Sequence, residues 1–166
     1  MNEHYFQVGD QVIHWAHGPG VIINLDEKSL SGSTQLYYEV KMSNLTLWVP
    51  VDQTGDSSLR LPTPKKDFED LFQILASPGK PLSSDRNERR LQLIERLKDH
   101  ELASICGVIR DLTLHKRLSK MNDNDNATLE RSRKFLIYEW SLASSIPIYQ
   151  AERELRKLLE GVENIA

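Results

Sequence analysis

The sequence predicts an α+β protein, in which a small antiparallel β-barrel is followed by a compact domain of five helices. Two observations lead to this prediction. In the first third of the 166 residues, apolar and polar side chains alternate as in strands, whereas later the apolar side chains recur at helical spacing. The change falls at Pro62-Thr63-Pro64, and proline neither donates to a strand ladder nor fits inside a helix. We therefore expect two domains, formed by residues 1–62 and 63–166.

Short strands fill the first expected domain. The clearest alternation puts Leu36, Tyr38 and Val40 on one face of a strand and Tyr37 on the other. A tight turn is expected at His17-Gly18-Pro19-Gly20, because glycine permits positive φ and proline fixes φ. Closure into a barrel would hide the edges of such short strands. The predicted strands cover residues 11–16, 21–25, 35–42, 45–51 and 59–61.

Five helices are predicted in the second domain. The second of them starts after a cap at Ser84 or Asp85, and Leu91, Ile94 and Leu97 share one apolar face of it. The other four are expected over residues 67–76, 101–118, 127–144 and 148–159, the fourth helix being capped at residue 125 or 126. Five helices of these lengths can enclose a core of their own.

The composition is that of an ordinary folded protein. Charged residues make up 27% and hydrophobic residues 39%, which excludes wholesale disorder. No apolar run approaches the roughly 18 residues of a membrane span, and the N-terminus lacks the pattern of a secretory signal. The single cysteine, Cys106, excludes an intrachain disulfide and a multi-cysteine zinc site. These features fit a cytoplasmic protein.

Motifs of the common enzyme classes are absent from the sequence. Gly18-Pro19-Gly20 lacks the third glycine and the following helix of a dinucleotide-binding loop. His14 and His17 could form half of a metal site, but no cysteine or carboxylate pair accompanies them. Cys106 has an apolar neighbour and fits a buried thiol better than a nucleophile. We expect a protein that is not an enzyme and uses no cofactor, metal or small-molecule substrate.

Charge is divided unevenly along the chain. Residues 1–62 hold three basic and seven acidic side chains, whereas residues 80–120 hold ten basic and six acidic ones. Any contact with phosphate is therefore expected in the second region. Arg86, Arg89 and Arg90 can converge near the start of a helix and grip phosphate there. The alternative is a solvated helix surface, whose arginines pair with neighbouring carboxylates.

Trp48 is a candidate anchor for a protein partner. Alternation along its strand puts Leu47 and Val49 on one face and Trp48 on the other, so an inward Leu47 and Val49 leave the indole exposed. The alternative is that Trp48 packs against the helical half or covers the core. Trp140, by contrast, has apolar neighbours at helical spacing and is expected inside the bundle.

The order of several motifs resembles a known family. Phe6-Gln7-Val8-Gly9-Asp10-Gln11-Val12-Ile13, His17-Gly18-Pro19-Gly20-Val21-Ile22, and Leu45-Thr46-Leu47-Trp48-Val49-Pro50 are similar to the N-terminal module of CarD/CdnL transcription regulators, which also occurs in transcription-repair coupling factors. Phe72-Gln73-Ile74-Leu75-Ala76-Ser77-Pro78 and Val108-Ile109-Arg110-Asp111-Leu112 resemble the helical domain of CarD. The resemblance spans nearly the whole chain, and the helical half distinguishes CarD from a coupling factor.

This resemblance implies a regulator of transcription. In CarD proteins a Tudor-like barrel binds the β subunit of bacterial RNA polymerase, and the helical domain contacts promoter DNA at the upstream edge of the melted region. The contact stabilises the open complex, and in most members a tryptophan at the start of the second C-terminal helix wedges into the minor groove. The partners implied here are therefore the polymerase β subunit and promoter DNA.

The sequence departs from the family pattern in two places. The wedge position corresponds to Arg86, and an arginine can enter a narrow minor groove but cannot unstack a base step as an indole does. Two basic positions that contact polymerase correspond to Lys28 and Trp48, so one keeps its charge and the other becomes apolar. The residues expected to bind protein are Lys28, Leu30 and Trp48, and those expected to bind DNA are Arg86, Arg89 and Arg90.

Two functions follow as hypotheses. The first is a CarD-like regulator that binds the polymerase β subunit and promoter DNA and modulates the stability of the open complex. The second is an adaptor that binds polymerase or another protein and has lost the DNA-wedge function, as the missing tryptophan suggests.

Overall fold

In the computed structural model, which describes residues 6–30, 32–51 and 58–163, the chain separates into two units. The sheet unit comprises Met1–Pro62, and the helical unit comprises Thr63–Ala166. The predicted α+β class, a sheet followed by five helices, is confirmed. Across the described ranges, no helix is long and apolar enough to cross a membrane.

The described residues of the sheet unit form five antiparallel strands. They lie in the order β4-β3-β2-β1-β5, and the described residues form an open sheet rather than a barrel closed by strand pairing. The three consecutive strands β1, β2 and β3 therefore occupy the middle, and β4 is an edge strand. The strands are β1 (Gln11–His14), β2 (Gly18–Leu30), β3 (Ser33–Lys41), β4 (Thr46–Pro50) and β5 (Leu59–Arg60).

One face of the sheet carries a small core. Val40 lies opposite Ile22 on β2 and Leu47 on β4, and Tyr38 lies opposite Val49. Their side chains cluster with other inward residues of all five strands. Such facing apolar pairs hold the register, because a slip by one residue would turn every one of them to solvent. The predicted inward set of β3, which is Leu36, Tyr38 and Val40, therefore matches the observed face.

The first turn lies earlier than predicted. β2 already begins at Gly18, so the chain reverses over Trp15, Ala16 and His17. Gly18 has φ +80°, which a glycine adopts without strain. A side chain at Gly20 would stand 2.8 Å from Val40, so the second glycine permits close packing of β2 on β3.

Between residues 63 and 163, five α-helices and two short 3₁₀ turns form the helical unit. The apolar core includes Phe68, Leu75, Ile109, Leu112 and Trp140, and the central helix α3 supplies the largest share. Trp140 is 2% exposed, as its spacing predicted. The helices are α1 (Phe68–Ala76), α2 (Arg86–Leu97), α3 (Leu102–Leu118), α4 (Asp123–Ser144) and α5 (Ile148–Leu158).

Helix α4 begins four residues before the predicted start. Asn122 is its N-cap and accepts a hydrogen bond from the backbone N–H of Asp125, while the Asp125 carboxylate accepts one from the N–H of Asn122. This reciprocal pair satisfies two backbone donors at once. Asp125 is therefore not the cap itself but its partner one turn into the helix.

Helix α2 faces the bundle with a different side than its leucines indicated. Its buried residues are Arg89 and Leu93, whereas Leu91 and Ile94 are exposed. Leu97 alone of the three expected apolar residues packs against the core. The reason is ionic: Arg89 and Arg96, two turns apart, both point to buried carboxylates of neighbouring helices.

Candidate functional site

Lys28 and Trp48, both predicted to bind a partner, meet on the outer face of the sheet. The Lys28 Nζ atom lies 3.5 Å from the centroid of the Trp48 ring. An ammonium so placed is attracted by the electrons of the indole face, with about 0.5–1 kcal/mol at an exposed site. The pair joins β2 to β4 across the intervening strand β3.

The indole of Trp48 remains accessible. It is 36% exposed, while its strand neighbour Val49 is 5% exposed and lies in the core. The alternative in which Trp48 is sealed in the interior therefore does not hold. With one ring face under the ammonium of Lys28, the exposed part offers both an apolar surface and an adjacent positive charge.

Tyr37 does not add an exposed ring to this surface. It shares the outer face with Trp48 and lies opposite Pro50 on β4 and Asp26 on β2, but it is only 9% exposed. The alternation correctly gave its face, but an outer face can bury a ring when neighbouring side chains cover it. The side chain of Leu30, the third residue predicted to bind protein, lies outside the described part of the chain, although its backbone ends β2.

Arg89 was predicted to bind DNA, and its position corrects that expectation. The side chain is 4% exposed and forms a bidentate pair with Asp125, with Nε at 3.0 Å from Oδ1 and Nη2 at 2.8 Å from Oδ2. A further nitrogen donates to the backbone oxygen of Ser83 at 2.9 Å. Because its donors are committed inside the protein, Arg89 fastens α2 to α4 and is unavailable to phosphate.

His115 completes a buried polar cluster with this pair. Burial and then the positive charge of Arg89 lower the pKa of His115, against the opposing influence of Asp125. For Asp125, burial alone would raise the pKa, but the hydrogen bonds from Arg89 and from the Asn122 backbone outweigh it and lower the pKa. The cluster is therefore built for a neutral imidazole beside one ion pair.

A second buried carboxylate, Asp111, anchors the loop before α2. It is fully buried and accepts hydrogen bonds from Arg96, from Arg110 and from the backbone N–H of Lys80, at 2.7–2.8 Å. Arg110 also donates to the hydroxyl of Ser77 at 2.8 Å. Sequence reasoning noticed the Arg110-Asp111 motif only as a resemblance and missed its role as the centre of this network. A fully polar pair amid the apolar residues of α3 was the available signal.

The basic residues of 80–120 fall into two groups. Five form ion pairs: Arg89, Arg96, Lys98, Arg110 and Arg117. The other five, which form no ion pair with any residue in the described ranges, are Lys80, Arg86, Arg90, Lys116 and Lys120. Arg86 and Arg90 are exposed and stand in the first two turns of α2, whose N-cap Asp85 accepts from the backbone of residues 87 and 88. Two of the three predicted DNA-binding arginines thus stay accessible.

His14 and Cys106, which the sequence singled out for their possible chemistry, both serve the fold. Histidine Nδ1 of His14 accepts hydrogen bonds from the backbone N–H of Ala16 and of His17, so it serves the turn. The described residues contain no group of three or more potential metal ligands. Burial, with a smaller effect of Glu139, raises the pKa of the Cys106 thiol to about 12, so the reactive thiolate does not form at neutral pH.

Comparison with known families decides the assignment. The CarD-like/TRCF RID domain matches residues 6–61, and the CarD, C-terminal domain matches residues 70–156, more than half of the chain. The chain belongs to the CarD family. Its sheet unit is therefore an RNA polymerase-interacting domain of the Tudor-like type, and its helical unit is the CarD C-terminal domain. CarD proteins are transcription regulators and not a known class of enzyme.

A curated relative has similar length. A protein of Bacillus subtilis (strain 168) described as "Putative transcription factor YdeB" is 26% identical over 143 residues, which are 85% of this chain and 94% of the relative. The match therefore extends across both units of the CarD protein rather than over one of them.

Proposed function

We propose that this CarD protein binds the β subunit of RNA polymerase through the outer face of its sheet unit and promoter DNA through its helical unit. Binding at both places would shift the equilibrium between closed and open promoter complexes, by the difference in its affinity for the two. The observation that carries the proposal is the accessible Lys28–Trp48 pair on a domain of the polymerase-interacting type.

The docking surface combines features that bind proteins well. Trp48 supplies a large rigid side chain, of the kind that dominates the energy of many interfaces. It lies on β4, whose second edge has no strand partner in the described part of the sheet. An extended segment of the partner can add to such an edge while its side chains contact the indole. Lys28 supplies a charge in a unit whose overall charge is negative.

Capture of purified polymerase on the immobilised protein tests this surface. Trp48→Ala removes the anchor, and Lys28→Glu replaces attraction of the indole by repulsion, so each variant should lose about tenfold or more in affinity. Trp15→Ala is the matched control, because Trp15 is also exposed in the sheet unit but stands at the first turn. Unchanged capture by both Trp48→Ala and Lys28→Glu would refute the surface.

DNA contact is proposed for Arg86 and Arg90 alone of the three predicted arginines. Both are exposed, both lack an ion pair within the described ranges, and both lie near the positive end of the α2 dipole. Arg89 holds this helix end in place through Asp125 and contributes without touching DNA.

The salt dependence of DNA binding tests these two arginines. In Arg86→Ala/Arg90→Ala the affinity for promoter DNA should fall. The negative slope of log K against log[salt] should become shallower by about 2, because each lost phosphate contact removes about 0.9 from its magnitude. Arg153→Ala/Arg156→Ala removes two exposed arginines from α5 and serves as the control for net charge. Equal slopes for the two double variants would contradict a specific role of α2.

The adaptor remains a second candidate, because Arg86 stands where an indole would be expected to wedge. It predicts capture of polymerase without any binding of forked promoter DNA. A mobility-shift experiment with forked DNA, with and without polymerase, separates the two functions.

A further inference from the structure

A single ring nitrogen of His14 holds the turn between β1 and β2. The Nδ1 atom accepts hydrogen bonds from the backbone N–H of Ala16 at 3.0 Å and from that of His17 at 3.3 Å. A ring nitrogen that accepts hydrogen bonds carries no proton, so the neutral imidazole is assigned its proton on Nε2. The turn therefore depends on one protonation state and one tautomer of His14.

Two further rings flank this imidazole. The indole of Trp15 is stacked on it, with 5.7 Å between the ring centroids and 23° between the planes, and the centroid of the His17 ring lies 5.0 Å away. Trp15 is 50% exposed, and its backbone N–H donates to the oxygen of Ser58. Trp15 and His17 are called the aromatic tip of the turn below. His14 thus contacts both rings of the tip and also binds its backbone.

Among the described residues, His17 is the titratable group that faces His14. In the register of the sheet, His14 lies opposite Gly18 on β2 and Leu59 on β5, and neither of these is charged. The next residue of β5, Arg60, belongs to the other face, because neighbours along a strand alternate. Burial and then the positive charge of His17 lower the pKa of His14 below its usual 6.5. The neutral ring that the hydrogen bonds require is consequently the form present at neutral pH.

We infer that the β1–β2 turn is a proton-operated switch, in which a proton on Nδ1 of His14 releases the backbone of Ala16 and His17 and so frees the aromatic tip. A protonated Nδ1 is a donor and no longer an acceptor, so both hydrogen bonds are lost in one step. The signal that this switch responds to is a fall in pH, because histidine changes its charge near neutrality.

The switch lies apart from the proposed polymerase contact. Six residues of β2 separate the turn from the row of the sheet that contains Trp48, a distance of roughly 20 Å at about 3.3 Å per residue. The inference therefore does not depend on the proposed function, and it concerns the conformation of the sheet unit alone.

NMR titration of the full chain tests the switch. Long-range ¹H–¹⁵N spectra should identify Nδ1 of His14 as the unprotonated nitrogen at neutral pH and show it gaining a proton with a midpoint below 6.5. The amides of Ala16 and His17 should shift with the same midpoint. Their protection from hydrogen exchange, relative to the intrinsic rate at each pH, should fall about fivefold or more, as the loss of one hydrogen bond implies.

Two variants of His14 separate the acceptor from the ring. His14→Phe keeps a ring beside the indole but removes the acceptor, so the amides of Ala16 and His17 should lack protection at every pH. His14→Asn supplies a carbonyl that accepts from the backbone two residues further on and does not titrate. In this variant the amides should stay protected over the whole range, without a transition.

Two other histidines supply the controls. His17→Asn should keep the transition and raise its midpoint, because the positive charge of His17 lowers the pKa of His14. His115→Gln should leave the transition unchanged, which distinguishes the switch from the buried histidine of the helical unit.

Three results would overturn the inference. A proton on Nδ1 of His14 at neutral pH would show that the ring does not accept the two hydrogen bonds. Amides of Ala16 and His17 that stay protected while His14 titrates would show that the turn does not depend on the ring. A transition that persists in His14→Asn would assign the response to another group.

Discussion

At the scale of single residues, the buried cluster around His115 sets a dependence on pH. The pKa of this imidazole lies below its usual 6.5, because burial and the neighbouring Arg89 disfavour the charged form. The unfolded chain therefore binds a proton at a higher pH than the folded one. The stability that the neutral His115 ring contributes is fully present above about pH 6.5, and it is lost as the pH falls towards the lowered pKa.

NMR titration of the His115 ring should consequently give a midpoint below 6.5. In Asp125→Asn the midpoint should fall further, because the carboxylate is the one neighbour that raises the pKa of His115. The midpoint of thermal unfolding of the helical unit should decrease as the pH drops below 6.5, and less so in His115→Gln. A midpoint at or above 6.5 in the unaltered protein would contradict this account of the cluster.

Among the helices, α2 depends on ion pairs more than on apolar burial. Arg89→Met should destabilise the helical unit by about 3–5 kcal/mol in urea unfolding, because the Asp125 carboxylate would remain buried without its counter-charge. Arg89→Met/Asp125→Leu should regain most of that loss, since an apolar pair avoids desolvation. About 1 kcal/mol would stay lost, because Asp125 also accepts from the backbone at the start of α4.

An exposed ion pair supplies the control for this experiment. Lys134 and Glu130 lie 3.6 Å apart on α4, with both side chains more than 60% exposed. Lys134→Met should change the stability by less than about 0.5 kcal/mol. A similar cost for Arg89→Met would show that the buried pair does not fasten α2.

Helix α2 shows which features of the fold could be predicted from the sequence and which could not. Periodicity gave the strands, the five helices and the inward set of β3, because these patterns are local. The rotation of α2 was not predictable from its leucines, since the carboxylates that decide it, Asp111 and Asp125, belong to other helices. Arg89 and Arg96 are seven residues apart and therefore share one side of the helix. This spacing indicated the inward side, but the prediction relied on the apolar residues instead.

Over the whole molecule, the candidate surfaces show the same difference between local patterns, which the sequence predicts, and contacts between distant residues, which it does not. Alternation alone placed Trp48 outside and gave the correct side for Tyr37, but the contact of Lys28 with the indole spans three strands. The three arginines predicted to bind DNA lie within five residues of each other in sequence, yet Arg89 forms an internal ion pair while Arg86 and Arg90 are exposed. A cluster of arginines in the sequence therefore indicates a basic helix end, but it does not show which of the side chains are accessible to a partner.

Arg89 and Arg96, the two arginines of α2 that pair with buried carboxylates, also constrain how this chain can change in length. They attach the helix to the bundle at two points roughly 10 Å apart along its axis, since each residue adds about 1.5 Å. Inserting or deleting a single residue between them would turn one part of the helix by about 100° against the other, because a turn takes 3.6 residues. One of the two arginines would then lose its contact with its buried carboxylate. A change of length outside the helix leaves the spacing of Arg89 and Arg96 unchanged, so the direction of the outward side chains is kept, although Lys80 and Ser83 restrict such changes in the loop before α2.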